Sequence, residues 1–438
     1  MFHVKHSPHI LLINPWIADF AAYNFWIKPL GLLHIASLLR QNGFRITLID
    51  CLDFQTKTNE YGAGKFYKTK IKKPLPIRSI PRHYGLYGLP EGMLLEKFSR
   101  IAKPDAICIT SGMTYWYPGL FKAIEMVKHF FKRVPVIVGG IYATLCYEHA
   151  VRYSGADYVI PGRGESELPK LISELTGFQF QTPNSQLRTG DSYPAFDLYP
   201  YLKYAAIMTS RGCPFHCTYC ASHFLSPGFS RKRTSEVVEE ISQSIIRYDI
   251  NNLTFYDDAL LVDPETHIIP ILKEIIRRGI QCNFHTPNGL HARQIGRELA
   301  TLLFRAGFKT IRLGLETSDE GIQIETGGKV DNSKFREAIE NLKRVGYLGE
   351  TIGVYILSGM PGQRVEEVEE SIAFVKDTGA KPILTEYSPI PHTPLFEKAK
   401  TMSQFDLENE PLFHNNSIFP CQWEGFTLGD YKRLKDGL

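Results

Sequence analysis

Three cysteines lie close together in the segment Arg211-Gly-Cys213-Pro-Phe-His-Cys217-Thr-Tyr-Cys220. Cysteine thiolates are the usual ligands of iron–sulfur clusters, and an electron-transfer cube with four irons takes four of them. Three ligands in one loop leave the fourth iron open to a small molecule. The spacing therefore predicts a [4Fe–4S] cluster held by Cys213, Cys217 and Cys220.

Two other uses of these cysteines are weighed against the cluster. Zinc could take the three thiolates together with His216 or His223, although structural zinc sites usually pair one Cys-x-x-Cys unit with a distant second half. Disulfides are less favoured, because the sequence shows no secretory signal and its cysteines are sparse. One cluster is expected and no auxiliary cluster, because the remaining cysteines stand alone: Cys51, Cys108, Cys146, Cys282 and Cys421.

The cysteine spacing, the Arg-Gly before it and the aromatic Tyr219 before the last cysteine resemble the radical S-adenosylmethionine enzymes. The resemblance implies that S-adenosylmethionine binds the open iron through its amino and carboxylate groups. It further implies that an electron from the cluster cleaves the sulfonium and releases a 5′-deoxyadenosyl radical. A reducing partner such as flavodoxin or ferredoxin would supply that electron, and the substrate would be a small molecule or a peptide.

Strand and helix patterns alternate over the first part of the chain. Alternating strands and helices predict a parallel sheet covered by helices, an α/β domain of the doubly wound Rossmann-like type with strand order 2-1-3-4-5. The predicted strands are 10–14, 46–50, 106–110, 134–138 and 157–160, and the predicted helices are 29–40, 118–132, 143–153 and 165–175.

Small residues stand at the carboxyl ends of these strands, where ligands of such sheets bind. The candidates are Ser111, Gly112, Gly139 and Gly140. Four aromatic residues near these ends are candidates either for lining a cavity or for packing: Trp16, Trp26, Tyr115 and Trp116.

The helix Pro29-Leu-Gly-Leu-Leu, the Val-Gly-Gly turn and Pro161-Gly-Arg-Gly-Glu165 resemble the cobalamin-binding domain that precedes many radical S-adenosylmethionine domains. The Asp-x-His-x-x-Gly signature, whose histidine ligates cobalt in other cobalamin enzymes, is absent from the sequence. The resemblance thus implies cobalamin bound without a histidine ligand. A sheet that binds nothing remains the alternative, since glycines at strand ends are weak indicators.

Six further strand patterns alternate with helices in the second half of the chain, which predicts an incomplete (β/α)6 TIM-type barrel. The expected domains are a cobalamin-binding-like domain over 1–176, a linker over 177–204, a radical S-adenosylmethionine barrel over 205–400 and an extension over 401–438. The predicted barrel strands are 205–210, 252–256, 281–285, 310–316, 352–357 and 382–387.

Polar residues end several of these strands. The family places an acceptor for the methionine amino group where Asp257 and Asp258 stand. Because adjacent strand residues point to opposite faces, we expect one aspartate to be this acceptor and the other to cap the segment that follows. Arg312 and Glu316 share a strand face, which suits a structural ion pair or contacts to a zwitterionic ligand. Glu316 also occupies the Gly-x-Glu position that the family uses near S-adenosylmethionine.

Two turns resemble further family motifs. Ser358-Gly359-Met-Pro361-Gly362 is similar to the Gly-x-Pro-Gly turn whose backbone approaches adenine, although a simple tight turn would use the same residues. Ser388-Pro-Ile-Pro-His-Thr-Pro394 matches the Pro-x-Pro-x-Thr turn after the sixth strand.

Composition sets outer limits on the function. The 438 residues carry a net charge of +4, and no apolar run approaches the ~20 residues of a membrane span. The basic stretch 65–73 is expected in a loop as a solvated surface, so neither a nucleic-acid partner nor a membrane span is predicted. We expect a cytoplasmic protein.

The favoured function is cobalamin-dependent methylation of an unactivated carbon. Cyclisation, rearrangement or oxidation by the same radical is the first alternative. A non-catalytic iron–sulfur sensor or scaffold is the second, and it requires a fourth cluster ligand.

Overall fold

A computed structural model describes residues 7–180 and 193–438. The chain forms two compact units by its internal contacts. The first comprises the chain up to Tyr201 together with Asn409–Leu412, and the second comprises Leu202–Glu408 with Phe413–Leu438. Part of the predicted linker 177–204 lies outside the described residues.

The first unit contains a central sheet, an insert of small strands and the helices that flank the sheet. Its strands are β1 His9–Asn14, β2 Ile17–Asp19, β3 Tyr23–Asn24, β4 Arg45–Asp50, β5 Gln55–Thr58, β6 Gly64–Phe66, β7 Lys68–Lys70, β8 Gly85–Tyr87, β9 Ala106–Ser111, β10 Val136–Gly140 and β11 Tyr158–Val159. Its helices are α1 Leu30–Gln41, α2 Glu91–Ser99, α3 Tyr117–Phe130, α4 Ile141–Leu145, α5 Tyr147–Tyr153 and α6 Gly164–Thr176.

The central sheet has the strand order β11-β10-β9-β1-β4, with all neighbours parallel. This is the predicted 2-1-3-4-5 order, so the doubly wound arrangement is confirmed. It forms because β1 is apolar on both faces: Ile10 pairs with Ile46 on one side and with Ala106 on the other, and Ile10 is fully buried. The carboxyl ends of β1, β9 and β10 consequently meet at one edge of the sheet.

Two sequence expectations in this unit were wrong. The predicted helix 143–153 is broken at Cys146, whose φ of −125° and ψ of 48° leave the helical region. The basic stretch 65–73 is not a loop, because β6 and β7 join two small antiparallel sheets of order β3-β6-β5 and β2-β8-β7. Strands of three residues are too short to show a recognisable alternation in sequence.

The second unit contains a six-stranded sheet with helices between its strands. Its strands are β12 Ala205–Ile207, β13 Ser210–Arg211, β14 Ser230–Arg231, β15 Asn252–Phe255, β16 Asn283–His285, β17 Phe308–Glu316, β18 Ile352–Ser358 and β19 Lys381–Glu386. Its helices are α7 Ser222–Leu225, α8 Thr234–Tyr248, α9 Ile268–Arg277, α10 Arg297–Ala306, α11 Glu320–Glu325, α12 Asn332–Arg344, α13 Val365–Asp377, α14 Pro394–Met402 and α15 Leu428–Asp436.

The six main strands run parallel in the order β12-β15-β16-β17-β18-β19, with β13 and β14 forming a separate hairpin. This order follows the chain, as a barrel of β/α units requires, and confirms the predicted incomplete TIM-type barrel. Apolar faces of α8, α9, α10, α12 and α13 pack on the sheet in one continuous core. Residues that follow the carboxyl ends of the strands are thereby brought to one mouth.

The last part of the chain completes the barrel core. Phe419, Phe426, Tyr431 and Leu434 belong to the same buried cluster as the strands. Residues 413–438 are therefore an integral part of the second unit. No helix within the described residues is long and apolar enough to cross a membrane.

Candidate active site and cofactor-binding residues

The cysteine loop follows β12 and β13 and is held by backbone bonds from distant parts of the second unit. Thr218 N–H donates to the Thr326 carbonyl at 3.2 Å, and Leu395 N–H donates to the Thr218 carbonyl at 2.9 Å. Gly212 has a φ of 73°, and a Cβ placed there would lie 2.1 Å from the Gly228 carbonyl oxygen. Only glycine therefore fits directly before the first cysteine.

The three thiols lie in a mostly buried environment, and all are free. Burial raises the pKa of Cys213 to about 11. Burial also raises the pKa of Cys217, while the Lys329 charge and a hydrogen bond from the Tyr219 hydroxyl act in the opposite direction. Without metal the thiols of Cys213 and Cys217 are thus protonated at neutral pH, and iron binding must displace their protons.

Three cysteine thiols within eight residues are a donor set typical of an iron–sulfur cluster. In a tetrahedral zinc site the sulfurs lie about 3.8 Å apart, since each Zn–S bond is about 2.3 Å. Over residues 7–180 and 193–438, no three His, Cys, Asp or Glu side chains are arranged to hold one metal ion. A cube instead takes each cysteine on a different iron and spreads the thiolates further apart.

An ion pair lies beside the loop. Lys329 Nζ is 2.7 Å from Glu316 Oε1, and the two side chains are 16% and 17% exposed. The same ammonium lies 5.4 Å from the centroid of the Tyr219 ring. Burial by itself lowers the pKa of Lys329, but the charges of Glu316 and Cys217 outweigh it, so this pKa lies above its ordinary value. Lys329 therefore stays charged next to the candidate cluster ligands.

Sequence reasoning missed Lys329 and assigned Glu316 the wrong possible partner. Of the two alternatives for Arg312 and Glu316, the structural ion pair does not form, because Arg312 Nη1 donates to the carbonyls of Ile311 and Thr351. The strand register shifts between Gly314 and Glu316, and Glu316 has a φ of 66°. In this irregular stretch the carboxylate pairs with Lys329. In the sequence, only the glycine pair Gly327-Gly328 directly before Lys329 indicated a loop of possible functional interest at this position.

The adjacent aspartates have different surroundings. Asp257 is 4% exposed, and its carboxylate accepts from the backbone N–H and the hydroxyl of Thr209 and of Ser210 at 2.6 to 2.9 Å. Burial raises the pKa of Asp257, although these hydrogen bonds act in the opposite direction. Asp258 is exposed and accepts from the Ser222 hydroxyl at 3.0 Å. Asp257 thus holds the segment leading into the cysteine loop, while Asp258 keeps acceptor capacity at the surface of the mouth.

The turn after β18 is organised from within the protein. Gly359 has a φ of 83°, and a Cβ there would lie 2.5 Å from the Phe419 ring. The side chain of Gln363, which sequence reasoning missed, accepts from Gly359 N–H at 2.8 Å and from Met360 N–H at 3.2 Å. Pro361 is buried in the same turn. Internal packing thus accounts for Gly359, and these two amides already have an acceptor.

The turn after β19 begins a helix that touches the cysteine loop. The Thr393 hydroxyl caps α14 by accepting from Phe396 N–H at 3.2 Å. The second residue of that helix, Leu395, is the donor to Thr218. The Pro-x-Pro-x-Thr motif therefore positions the cluster loop through backbone contacts.

A second missed side chain packs on the loop. The rings of His291 and Phe215 lie 4.8 Å apart in an edge-to-face arrangement. Burial, with help from Lys329 and Arg293, lowers the pKa of His291 to about 3, so the ring is neutral. Its Nδ1 atom is buried and has no hydrogen-bond partner in the described part of the chain.

The first unit has a cavity of about 280 Å³ at the carboxyl edge of its central sheet. Residues after β1, β9 and β10 line it, together with the first turn of α1. The lining includes Trp16 and Trp116, both of which were candidates in sequence. Their indole N–H groups donate to the Leu89 carbonyl at 2.5 Å and to Asp19 Oδ2 at 2.8 Å, so both rings are fixed.

The predicted small residues meet at this cavity. Ser111, Gly112 and Gly140 are among its lining, and the Ser111 hydroxyl donates to the Gly139 carbonyl at 2.7 Å. A Cβ at Gly140 would lie 2.5 Å from the Ser111 carbonyl oxygen, and one at Gly112 would lie 2.8 Å from the Trp116 ring. These two glycines are required by the protein's own packing.

Gly31, also in the lining, shows where space remains. A Cβ at Gly31 would meet no atom within 4 Å. Because the first amides of a helix point outward with a positive partial charge, this end of α1 suits a polar or anionic group of a ligand. Of the described residues that line the cavity, none is a histidine.

A buried polar network adjoins the cavity. Asp50 accepts from Asn14 Nδ2 at 2.7 Å and from the Tyr199 hydroxyl at 2.6 Å. Lys28 lies 3.9 Å from the centroid of the Tyr199 ring and pairs with Asp53 at 2.8 Å. Burial raises the pKa of Asp50 although the Lys28 charge opposes it. Sequence reasoning missed this network, which lies between the segment before α1 and the end of β4.

Two protein-family models match the chain. The model of the Radical SAM superfamily matches residues 207–375, and that of the B12 binding domain matches residues 94–172.

Individual proteins match most of the chain at low identity. An uncharacterized methyltransferase of Pyrococcus horikoshii is 25% identical over 78% of this chain and 77% of its own length. The anaerobic magnesium-protoporphyrin IX monomethyl ester cyclase of Rubrivivax gelatinosus is 22% identical over 73% of this chain and 63% of its own length. Among solved structures, the radical S-adenosylmethionine methyltransferase TsrM from Kitasatospora setae superposes with a TM-score of 0.67 at 17% identity, over 91% of this chain and 77% of that one.

Proposed function

We propose that this chain, which matches the models of the Radical SAM superfamily and of the B12 binding domain, is a cobalamin-dependent radical methyltransferase. The observation that carries the proposal is the presence in one chain of a three-cysteine loop at a barrel mouth and a cavity at the carboxyl edge of a Rossmann-like sheet. The acceptor would be an unactivated carbon of a small molecule or peptide.

The cysteine loop would hold a [4Fe–4S] cluster through Cys213, Cys217 and Cys220. When bound, the cluster supplies the electron that cleaves S-adenosylmethionine to a 5′-deoxyadenosyl radical. Lys329 places a positive charge near the thiolates and so lowers the electrostatic energy of the cluster's negative charge. Flavodoxin or ferredoxin is the proposed reductant.

Glu316 and Asp258 are the proposed acceptors for the ammonium group of S-adenosylmethionine. Asp258 is exposed and makes one described hydrogen bond, to Ser222, which leaves lone pairs free. Glu316 has a second carboxylate oxygen besides the one paired with Lys329. Asp257 is assigned a positioning role instead, because Thr209 and Ser210 occupy its carboxylate.

The cavity of the first unit, at about 280 Å³, would receive one part of cobalamin, which supplies the carrier for the methyl group. Ser111, Gly112 and Gly140 line it, with Gly139 held behind them by the Ser111 hydroxyl, and Trp16 and Trp116 offer fixed apolar faces. The open space at Gly31 is the part of the wall that a ligand can approach. With no histidine in the described lining, the cobalt would have no histidine ligand from this cavity.

The test begins with anaerobic purification of the full chain with cobalamin supplied, followed by iron, sulfide and corrinoid counts. S-adenosylmethionine with a labelled methyl group is then added with a chemical reductant and candidate substrates. We expect both cofactors at near one equivalent, and 5′-deoxyadenosine and S-adenosylhomocysteine formed together with a labelled product. A loaded enzyme that consumes S-adenosylmethionine and never labels a product would contradict the proposal.

Radical cyclisation or oxidation without methyl transfer is the second candidate, and the similarity to a cyclase favours it. It predicts 5′-deoxyadenosine without S-adenosylhomocysteine. Loading of the cluster without corrinoid would also select this alternative.

A further inference from the structure

The insert between residues 51 and 90 carries a concentrated positive charge. Eight of its residues are Lys or Arg and two are Asp or Glu, a net charge of +6, whereas the whole chain carries +4. The rest of the molecule is therefore slightly negative. The positive charge of this protein is thus concentrated in one insert and is not spread over the whole chain.

The small sheet β3-β6-β5 displays part of this charge on one face. Tyr23 lies opposite Lys65, and Lys65 lies opposite Lys57, so the three side chains share a face. All three are exposed, while Phe66 of β6 is 4% exposed and packs into a core cluster on the other side. Like charges directly opposite each other destabilise a sheet, so the pair Lys57 and Lys65 is unfavourable unless an anion covers it.

More cations follow along the chain. We call the exposed side chains of the β3-β6-β5 sheet and of residues 67–78 the basic surface. No carboxylate of the described residues forms an ion pair with its exposed cations, in contrast to Lys28, which pairs with Asp53. These cations are Lys57, Lys65, Lys68, Lys70, Lys72 and Arg78.

Apolar side chains in and next to these segments are also exposed. Leu75 is 72% exposed, although it lies in a short 3-10 turn between two prolines and close to Ile77, which is fully buried. The prolines and the buried anchor hold the backbone, so Leu75 is held in an exposed position. Phe25 and Tyr23 are 55% and 40% exposed, and their rings lie 4.7 Å apart.

We propose that the basic surface docks the enzyme on a lipid bilayer that contains anionic phospholipid. Lysines next to a bilayer interact with anionic headgroups, and exposed leucine and aromatic side chains enter the boundary between headgroups and acyl chains. Single-stranded nucleic acid would use the lysines and the aromatic rings but would gain little from an aliphatic side chain such as Leu75. The exposed leucine therefore favours the bilayer.

The test is co-sedimentation of the full-length, anaerobically purified protein with vesicles of phosphatidylcholine alone or with one quarter phosphatidylglycerol. We expect binding only to the anionic vesicles, weakened when sodium chloride rises from 0.1 to 0.5 M. The triple variant K65Q/K70Q/K72Q should bind about 100-fold more weakly, from about fivefold for each lysine. Leu75→Ser should weaken binding about tenfold, because it removes one inserted apolar side chain.

A matched control removes three exposed lysines elsewhere, in K103Q/K132Q/K309Q. The proposal is overturned if wild-type protein ignores anionic vesicles, if it binds neutral vesicles equally, or if the control loses as much affinity as the test variant. A 20-nucleotide single strand provides the competing outcome. If that strand binds more tightly than vesicles and Leu75→Ser binds it normally, the surface serves nucleic acid and not lipid. Circular dichroism confirms that each variant is folded, and none of these readouts depends on catalysis.

Discussion

Replacing Lys329 by methionine removes the cation of the buried pair beside the cysteine loop. The Nζ and Oε1 atoms are 2.7 Å apart, and at an effective permittivity of about 20 their attraction is about 6 kcal/mol before desolvation is subtracted. Loss of one partner from a buried pair typically lowers stability by about 3–5 kcal/mol. The side chains are 16% and 17% exposed, so water reaches the remaining carboxylate, and we expect a loss of about 3 kcal/mol in the free energy of unfolding of the second unit.

The assay is urea unfolding of the metal-free protein, followed by circular dichroism, for Lys329→Met, Glu316→Gln and the double variant. Because the two partners depend on each other, the double variant should lose less than the sum of the single losses, by about 2 kcal/mol. The control is Lys334→Met. Lys334 pairs with Glu337 at 2.8 Å, but both side chains are more than half exposed, so we expect a loss below about 0.5 kcal/mol.

The pair also makes a pH prediction with a definite sign. The pKa of Lys329 is raised in the folded protein, so its contribution to stability is fully present below the unfolded lysine pKa of about 10.4 and is lost as the pH rises through the folded value. The stability difference between wild type and Lys329→Met should therefore shrink above a pH of about 10.4. A coupling energy below about 0.5 kcal/mol, or a difference that grows with pH, would refute the reasoning.

Further outcomes are expected at the other sites. Serine at any one of the three loop cysteines should abolish stable iron loading, measured as iron per chain, whereas Cys282→Ser should load normally; equal loading in all variants would contradict the cluster. Asp257→Asn should lower the free energy of unfolding by about 2–4 kcal/mol because donors of the preceding segment lose their acceptor. Asp258→Asn should change the free energy of unfolding by less than about 0.5 kcal/mol and should reduce S-adenosylmethionine cleavage. If Asp258→Asn instead destabilised the protein and Asp257→Asn reduced cleavage alone, Asp257 would be the acceptor and Asp258 the positioning residue. Gly31→Leu should fold, since a Cβ there meets no atom within 4 Å, yet bind corrinoid more weakly in a spectroscopic titration; undiminished binding would move the corrinoid away from this cavity.

The predictions from sequence were most accurate for features that are local in the chain. The strands of the first sheet and of the barrel alternate with helices along the chain. That alternation is visible in the sequence and leaves few possible topologies. The cysteine loop is local as well, since its three ligands lie within eight residues, 213–220. The short strands of the insert were missed because three residues carry too little periodicity.

Only the tertiary structure decided how the side chains at the barrel mouth pair. An ion pair between Glu316 and Arg312 was one of two sequence expectations, because strict alternation places them on one face. In the structure the strand register shifts after Gly314, and the carboxylate pairs with Lys329, 13 residues further along. The two neighbouring aspartates are equivalent in sequence, and they differ because Thr209 and Ser210, 47 to 48 residues away, bring four donors to Asp257 alone.

The sequence by itself therefore determined which residue types are present for the chemistry, the order of the elements and the edges of the sheets at which ligands can bind. It could not determine which charged side chains form ion pairs with each other. Nor could it determine which glycines are required by internal packing and which leave space for a ligand. Those properties depend on contacts between residues far apart in the chain, whose distances are set when the strands are placed in register and the helices pack against them.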